Sequence, residues 1–202
     1  MSDVVQGNVY DKYGTKNPIA QRLMRGFERA LRELLADVRP ASALDAGVGE
    51  GELLRRILAW LPLSSAPVAM DIGGGVLAQA RQRLPGSMLV QGSALGLPFR
   101  DGAFELVLAL EVLEHLPDPE AGLAELVRVS RRHVLVSVPN EPLWRMLNLA
   151  RGAYIRDWGN TPGHLQHWSR RRFCSFVASQ AIPIGVRAPF PWTMVLALTK
   201  VR

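Results

Sequence analysis

Two groups of residues have the types and spacing to do chemistry. The first is Glu111-x-x-Glu114-His115, with His164 and His167 downstream. After a buried strand, a loop or single helical turn would bring Glu111, Glu114 and His115 together. Carboxylates and imidazoles suit a hard or borderline divalent cation such as Mg2+, and His164 would complete the set Glu111, Glu114, His115, His164. Without a cation, His115 or His164 is a candidate general base. The second group is Leu44-Asp45-Ala46-Gly47-Val48-Gly49-Glu50-Gly51, followed by Met70-Asp71. A glycine turn lets backbone approach a ligand where side chains would block it. An acid after the next strand is placed to accept hydrogen bonds from ribose hydroxyls. Together they suggest an adenosine-containing cofactor.

Glu50 and Glu52 narrow the choice of cofactor. The dinucleotide fingerprint G-x-G-x-x-G is broken here, because the position of the third glycine holds Glu52. Two acids at a helix start also disfavour a pyrophosphate. A cofactor carrying a sulfonium and an ammonium, and no phosphate, suits the turn better.

These residues must be positioned by an alternation of strands and helices. Apolar runs predict strands near 42–46, 66–71, 87–91, 104–110 and 133–138. Helical periodicity predicts helices over Asn17 to Val38 and near 50–61, 74–84, 119–131, 142–150 and 169–180. Pro18 suits the first turn of the first helix, and Ser169 is an N-cap candidate for the last. Two final strands are expected near 183–188 and 192–200. The pattern predicts an α/β fold, a parallel sheet with helices on both faces.

The segment around Gly47 and Gly49 resembles motif I of class I S-adenosylmethionine-dependent methyltransferases. Gln91 to Val107 resembles that family's passage from the third strand into the fourth, and Glu111 to Pro119 resembles its loop after strand four. Order and spacing match through roughly Pro139. The quinone-biosynthesis-like, small-molecule branches (methyltransferase type 11) are the nearest in pattern. The resemblance implies a Rossmann-like three-layer sandwich, with a seven-stranded, mostly parallel sheet and an antiparallel last strand. It also implies S-adenosylmethionine as cofactor, held by Asp45, Ala46, Gly47, Gly49, Asp71, Ile72, Ser93, Ala94, Leu95 and Glu111. Two residues depart from the family pattern. Ser93 stands where an acid usually meets the adenine amino group, which weakens that contact. Glu105 replaces an aspartate beside the fourth strand. Glu-x-x-Glu-His with a downstream histidine resembles metal-dependent O-methyltransferase branches, yet also occurs in members that need no metal. Gly163 to Ser169 resembles a pre-helix segment of small-molecule branches, which favours His164 over His167 as the pocket residue.

The whole chain, 1–202, reads as one domain, with an N-terminal lid segment 1–38 and a substrate-side insertion 140–168. Tyr10, Tyr13, Trp144, Tyr154, Trp158 and Trp168 concentrate aromatic character in these segments, as a pocket wall or lid would. The formal net charge is +6, carried mostly by arginine. Basic residues are densest over Arg22 to Arg39 and at Arg170-Arg171-Arg172, and both read as solvated helix faces. No recognised nucleic-acid motif accompanies them. No apolar run is long enough to span a bilayer, and the N-terminus lacks a signal-peptide apolar region. The single cysteine, Cys174, suits a reducing cytoplasm and reads as core packing.

The leading expectation is methyl transfer to a small-molecule acceptor, by in-line displacement onto oxygen. The alternatives are an RNA or protein methyltransferase, and a non-catalytic S-adenosylmethionine-binding module. The acceptor and the oligomeric state are not legible in the sequence.

Overall fold

A computed structural model describes residues 15, 17–150, 152, 154 and 157–200. The sheet is built from β1 (Ala43–Ala46), β2 (Val68–Asp71), β3 (Met88–Gln91), β4 (Phe104–Leu110), β5 (Ser130–Pro139), β6 (Ala181–Arg187) and β7 (Trp192–Thr199). The helices are α1 (Pro18–Leu34), α2 (Glu52–Leu58), α3 (Gly74–Arg83), α4 (Pro119–Val129), α5 (Leu143–Ala150) and α6 (Arg170–Gln180). A 3-10 turn covers Leu113–His115.

Strand order is β3-β2-β1-β4-β5-β7-β6. The first five strands pair in parallel, and β7 lies antiparallel between β5 and β6. The chain winds outward from β1 to β3, then returns to the other side of β1 to form β4. That reversal opens a crevice beyond the carboxyl ends of β1 and β4, the usual ligand position in an open α/β sheet.

Side-chain alternation gives the sheet two buried faces. Leu106 and Leu108 of β4 pack with Phe27 and Leu31 of α1, Ile57 of α2 and Ala80 of α3. Val107 and Ala109 point the other way, toward Leu126 and Val129 of α4 and Phe173 and Val177 of α6. Strands buried on both faces read as continuous apolar runs, which is how β4 and β5 appear in the sequence. Pro183 sits on edge strand β6 at a register shift, where a missing N–H donor is tolerated.

Local chemistry sets several helix starts. Asn17 Oδ1 accepts from Ile19 N at 2.9 Å, with Pro18 behind it in the first turn of α1. Asp118 Oδ1 accepts from Ala121 N at 2.9 Å at α4, and Ser169 Oγ caps α6 through Arg172 N at 3.4 Å. Several boundaries differ from the expected ones by a few residues, and two have a clear local cause. Helix α2 starts at Glu52, not at residue 50, because Gly51 is left-handed with φ 82°. Strand β5 starts at Ser130, because that residue already has extended geometry and pairs with Phe104.

Of the expected lid segment 1–38, residues 18–34 form α1, whose Met24, Phe27, Leu31 and Leu34 are buried on the sheet. Tyr10 and Tyr13 lie outside the described residues. The arginines of the basic stretch, Arg22, Arg25, Arg29, Arg32 and Arg39, are exposed, as expected of a solvated face, while acids between them pair with other elements. Glu28 pairs with Arg56 of α2 and Glu33 with Arg187 of β6, each at 2.7 Å.

Candidate active site

The turn after β1 is held by backbone bonds to its neighbour strand. Gly47 N and Val48 N both donate to Met70 O, at 2.7 and 2.9 Å. Asp71, at the end of β2, then ties two turns together. Its Oδ2 accepts from Gly49 N and its Oδ1 from Gly73 N, both at 2.9 Å. Gly47 has φ +94°, and a Cβ there would lie 2.3 Å from a methyl of Val112. Glycine is therefore required by both backbone and packing. Gly49 has φ +53° and no neighbour within 4 Å of a built Cβ, so its surroundings are open.

This turn forms one wall of a cavity of about 320 Å³. Asp45, Gly47, Gly49, Asp71 and Ile72 line it from β1 and β2. Ser93, Ala94 and Leu95 line it from the loop after β3, and Glu111, Glu114, His115 and His164 close the far side. Of the residues expected to hold the cofactor, only Ala46 is absent from the wall. Its side chain is fully buried in the core beside Met70. Ile72 and Leu95 both expose apolar surface at the cavity, at 45% and 36% of their area. Ser93 Oγ accepts from Leu95 N at 3.2 Å, which fixes the bend of the loop. Arg128 of α4 anchors the following stretch, donating to Leu97 O at 3.0 Å and Phe99 O at 2.8 Å. Glu105 is remote from all this. It accepts from Ala41 N at 2.8 Å near the amino ends of the strands.

The charge of the cavity opposes that of the chain. Asp45, Glu50, Glu52, Asp71, Glu111 and Glu114 contribute six carboxyl groups to its wall, and the described lining contains no lysine or arginine. Glu52 is partly neutralised, because Arg55 and Arg56 hold its carboxylate at 2.7–2.9 Å and keep its pKa near 2. Asp45 has no such help. Burial first, and the neighbouring Asp71 charge second, raise its pKa to about 7. Such a wall repels phosphates and attracts a cation.

Glu111 follows β4 with φ +59°, a strained geometry for a residue with a side chain. Its backbone N–H donates to Ser137 O at 3.0 Å, and its Oε1 accepts from the Trp192 indole N–H. Among the described residues, those able to gather around a cation are Glu114, His115 and His164, whose ligand atoms all lie within 4.8 Å of one another. Glu111 is not in that group, contrary to the expected set of four, because the Trp192 indole holds its carboxylate.

His115 and His164 meet edge to face with ring centres 4.9 Å apart. His115 Nδ1 lies 2.9 Å from Gly163 O. A carbonyl only accepts, so Nδ1 carries the proton in the neutral ring and the lone pair resides on Nε2. Leu165 N and Gln166 N donate to Glu114 O at 2.8 and 3.1 Å, tying the 163–166 strap to the 3-10 turn. Trp144 of α5 stacks near His164 at 6.5 Å and donates to Thr161 Oγ1 at 2.8 Å. His167 points elsewhere, with Nδ1 3.9 Å from a Glu141 oxygen. The role of Trp192 carries no local sequence signal. Trp192 reaches Glu111 across 81 residues of chain.

A family model described as a methyltransferase domain matches residues 44–137, from β1 into β5. The malonyl-[acyl-carrier protein] O-methyltransferase of Geobacter sulfurreducens is 36% identical over 59% of this chain and 44% of its own length. The demethylmenaquinone methyltransferase of Roseiflexus castenholzii is 31% identical over 66% of this chain and 59% of its own. The chain thus spans about half the length of these curated relatives. Among solved structures, a SAM-dependent methyltransferase from Aquifex aeolicus shares the fold with a TM-score of 0.69 at 16% identity, over 95% of this chain and all of that one. Sequence and fold converge: residues 44–137 match the methyltransferase-domain family model, and the chain is similar to S-adenosylmethionine-dependent methyltransferases.

Proposed function

We propose that the protein transfers the methyl group of S-adenosylmethionine to an oxygen of a small-molecule acceptor, with His115 as base. The observation that carries this reading is one shared cavity, with the glycine turn and Asp71 on one side and the His115–His164 pair on the other. Asp71 suits the ribose hydroxyls, and Ile72 and Leu95 offer apolar flanks for the adenine ring. The carboxylates suit the sulfonium and ammonium charges. Transfer is an in-line displacement, in which the acceptor oxygen attacks the methyl carbon as the carbon–sulfur bond breaks. Alignment supplies much of the rate. His115 Nε2, oriented by the Nδ1 contact to Gly163, takes the acceptor's proton. The names of the relatives, malonyl-carrier-protein and demethylmenaquinone methyltransferases, support a small acceptor rather than a nucleic acid. The anionic cavity points the same way.

A second reading places a divalent cation between Glu114, His115 and His164. Two imidazoles and one carboxylate fit a borderline cation such as Mn2+ or Zn2+, and fit the expected Mg2+ poorly, since Mg2+ prefers an all-oxygen shell. Such an ion, when bound, would lower the pKa of an acceptor hydroxyl.

The test is a pair of variants, His115→Ala and His164→Ala, assayed against a panel of hydroxylated acceptors. His115→Ala is expected to lower kcat by about 10²–10⁴ with S-adenosylhomocysteine affinity unchanged. Equal turnover in wild type and variant would remove His115 from the mechanism. Activity abolished by a chelator and restored by Mn2+ would favour the second reading.

A further inference from the structure

The outer surface of α5 is apolar where a surface helix is ordinarily polar. Trp144 and Asn148 of this helix face inward. Asn148, which is buried, donates to Gly159 O at 2.7 Å and to Thr161 Oγ1 at 3.1 Å. Leu143, Met146 and Leu149 are exposed instead. Trp158 continues the surface with 77% of its area in solvent. Its carbonyl accepts from Arg145 Nε at 3.1 Å, which places it beside the helix. Among the described residues, no side-chain hydrogen bond explains a tryptophan held out in this way. Indole beside aliphatic side chains is the pattern of a membrane interface rather than of bulk water.

Charge identifies the occupant. From Leu143 to Trp158 the sequence carries Arg145, Arg151 and Arg156 against a single acid, Asp157. Helix α6 opens with the exposed Arg170, Arg171 and Arg172. The two helices leave the same corner of the sheet, because Asn140 bridges to Trp168 and Glu141 N donates to Trp168 O. An apolar helix face flanked by arginines is complementary to an anionic lipid surface. At eight residues α5 is far too short to cross a bilayer, so it would lie along the interface.

We propose that the outward face of α5, with Trp158, docks the protein on anionic membrane surface. The inner side of the same wall is Trp144 stacked toward His164. Docking would therefore set the acceptor side of the cavity next to the bilayer, where acceptors with long apolar tails reside. Membrane binding itself needs neither cofactor nor acceptor, so its test is independent of the methyl-transfer reading.

The experiment is flotation of the full chain with phosphatidylcholine vesicles, with and without phosphatidylglycerol. Sedimentation velocity of the protein alone is run beside it. Wild type is expected to float with the phosphatidylglycerol vesicles, and less so as salt rises. Met146→Gln combined with Leu149→Gln is expected to lower that partition by about tenfold or more. S-adenosylhomocysteine affinity serves as the folding control. The triple variant Arg170→Gln, Arg171→Gln, Arg172→Gln is expected to lose the preference for anionic over neutral vesicles. Failure of wild type to float, or equal flotation of the Met146 and Leu149 variant, would overturn the proposal. So would a wild-type dimer that the same variant converts to monomer, because a second copy would then cover the face.

Discussion

Asp45 is buried at the end of β1 with a second carboxylate, Asp71, beside it, and its pKa rises to about 7. A folded-state pKa above the ordinary 3.8 means that the empty protein holds a proton the unfolded chain releases. The stability from this group is therefore fully present below pH 3.8 and is lost as pH rises through about 7. A cationic cofactor reverses the preference, because it favours the ionised acid. Affinity for S-adenosylmethionine is expected to rise between about pH 6 and pH 8, with proton uptake by buffer visible in calorimetry. Asp45→Asn is expected to bind more weakly at pH 8 and to flatten the profile. A wild-type affinity that is flat across this range would show that Asp45 does not titrate with binding. At this scale the sequence was legible where chemistry is local. Asp45, Gly47, Gly49 and Asp71 are recognisable from type and spacing, and all four reach the cavity wall. Glu111 was less legible. Its assignment to a cation site rested on its spacing from Glu114, and the Trp192 indole that holds it comes from another strand.

Among the elements, the loop carrying Ser93, Ala94 and Leu95 depends on a helix across the sheet face. Arg128 holds that loop from α4, with bonds to Leu97 O, Phe99 O and Asp101 and a bidentate pair with Glu125. Glu125 in turn accepts from Leu97 N at 2.7 Å. Removing the guanidinium leaves two carbonyls and two carboxylates without that donor. Arg128→Ala is expected to cost about 2 kcal/mol and lower Tm by about 4–8 °C. S-adenosylhomocysteine affinity should fall with it, as Leu95 loses its fixed position. Arg128→Lys should recover little of either, because an ammonium cannot span the same acceptors. Calorimetry and thermal melts check both. A variant with normal affinity would show that the loop stands without Arg128. The helices and strands themselves were legible, since period and capping residues mark their limits. Boundaries slipped where one residue's backbone decides, as with the left-handed Gly51 and the extended Ser130. The insertion 140–168 could be read as a cap from its aromatics. Its contacts could not, because Trp144, Thr161 and His164 are brought together only by tertiary packing.

Across the whole molecule, net charge pointed away from the local field. A balance of +6 suggests acidic partners, yet the described cavity wall is lined by carboxylates and carries no arginine or lysine. The arginines lie elsewhere, many at helix ends and on outer faces. Summed charge therefore speaks to the surface, and the site must be read residue by residue. The fold reinforces this division. The switch point between β1 and β4 gathers the acids, and the start of α6 displays Arg170, Arg171 and Arg172. The central claim is that the anionic cavity holds S-adenosylmethionine through the Asp71 turn. Its most direct test is titration of S-adenosylmethionine and S-adenosylhomocysteine into wild type and Asp71→Ala by calorimetry, with circular dichroism to confirm that both are folded. The account predicts one saturable site in wild type and at least about a tenfold loss, 1.4 kcal/mol, in Asp71→Ala. A folded wild type that binds neither compound, or an Asp71→Ala variant that binds both as tightly, would contradict it.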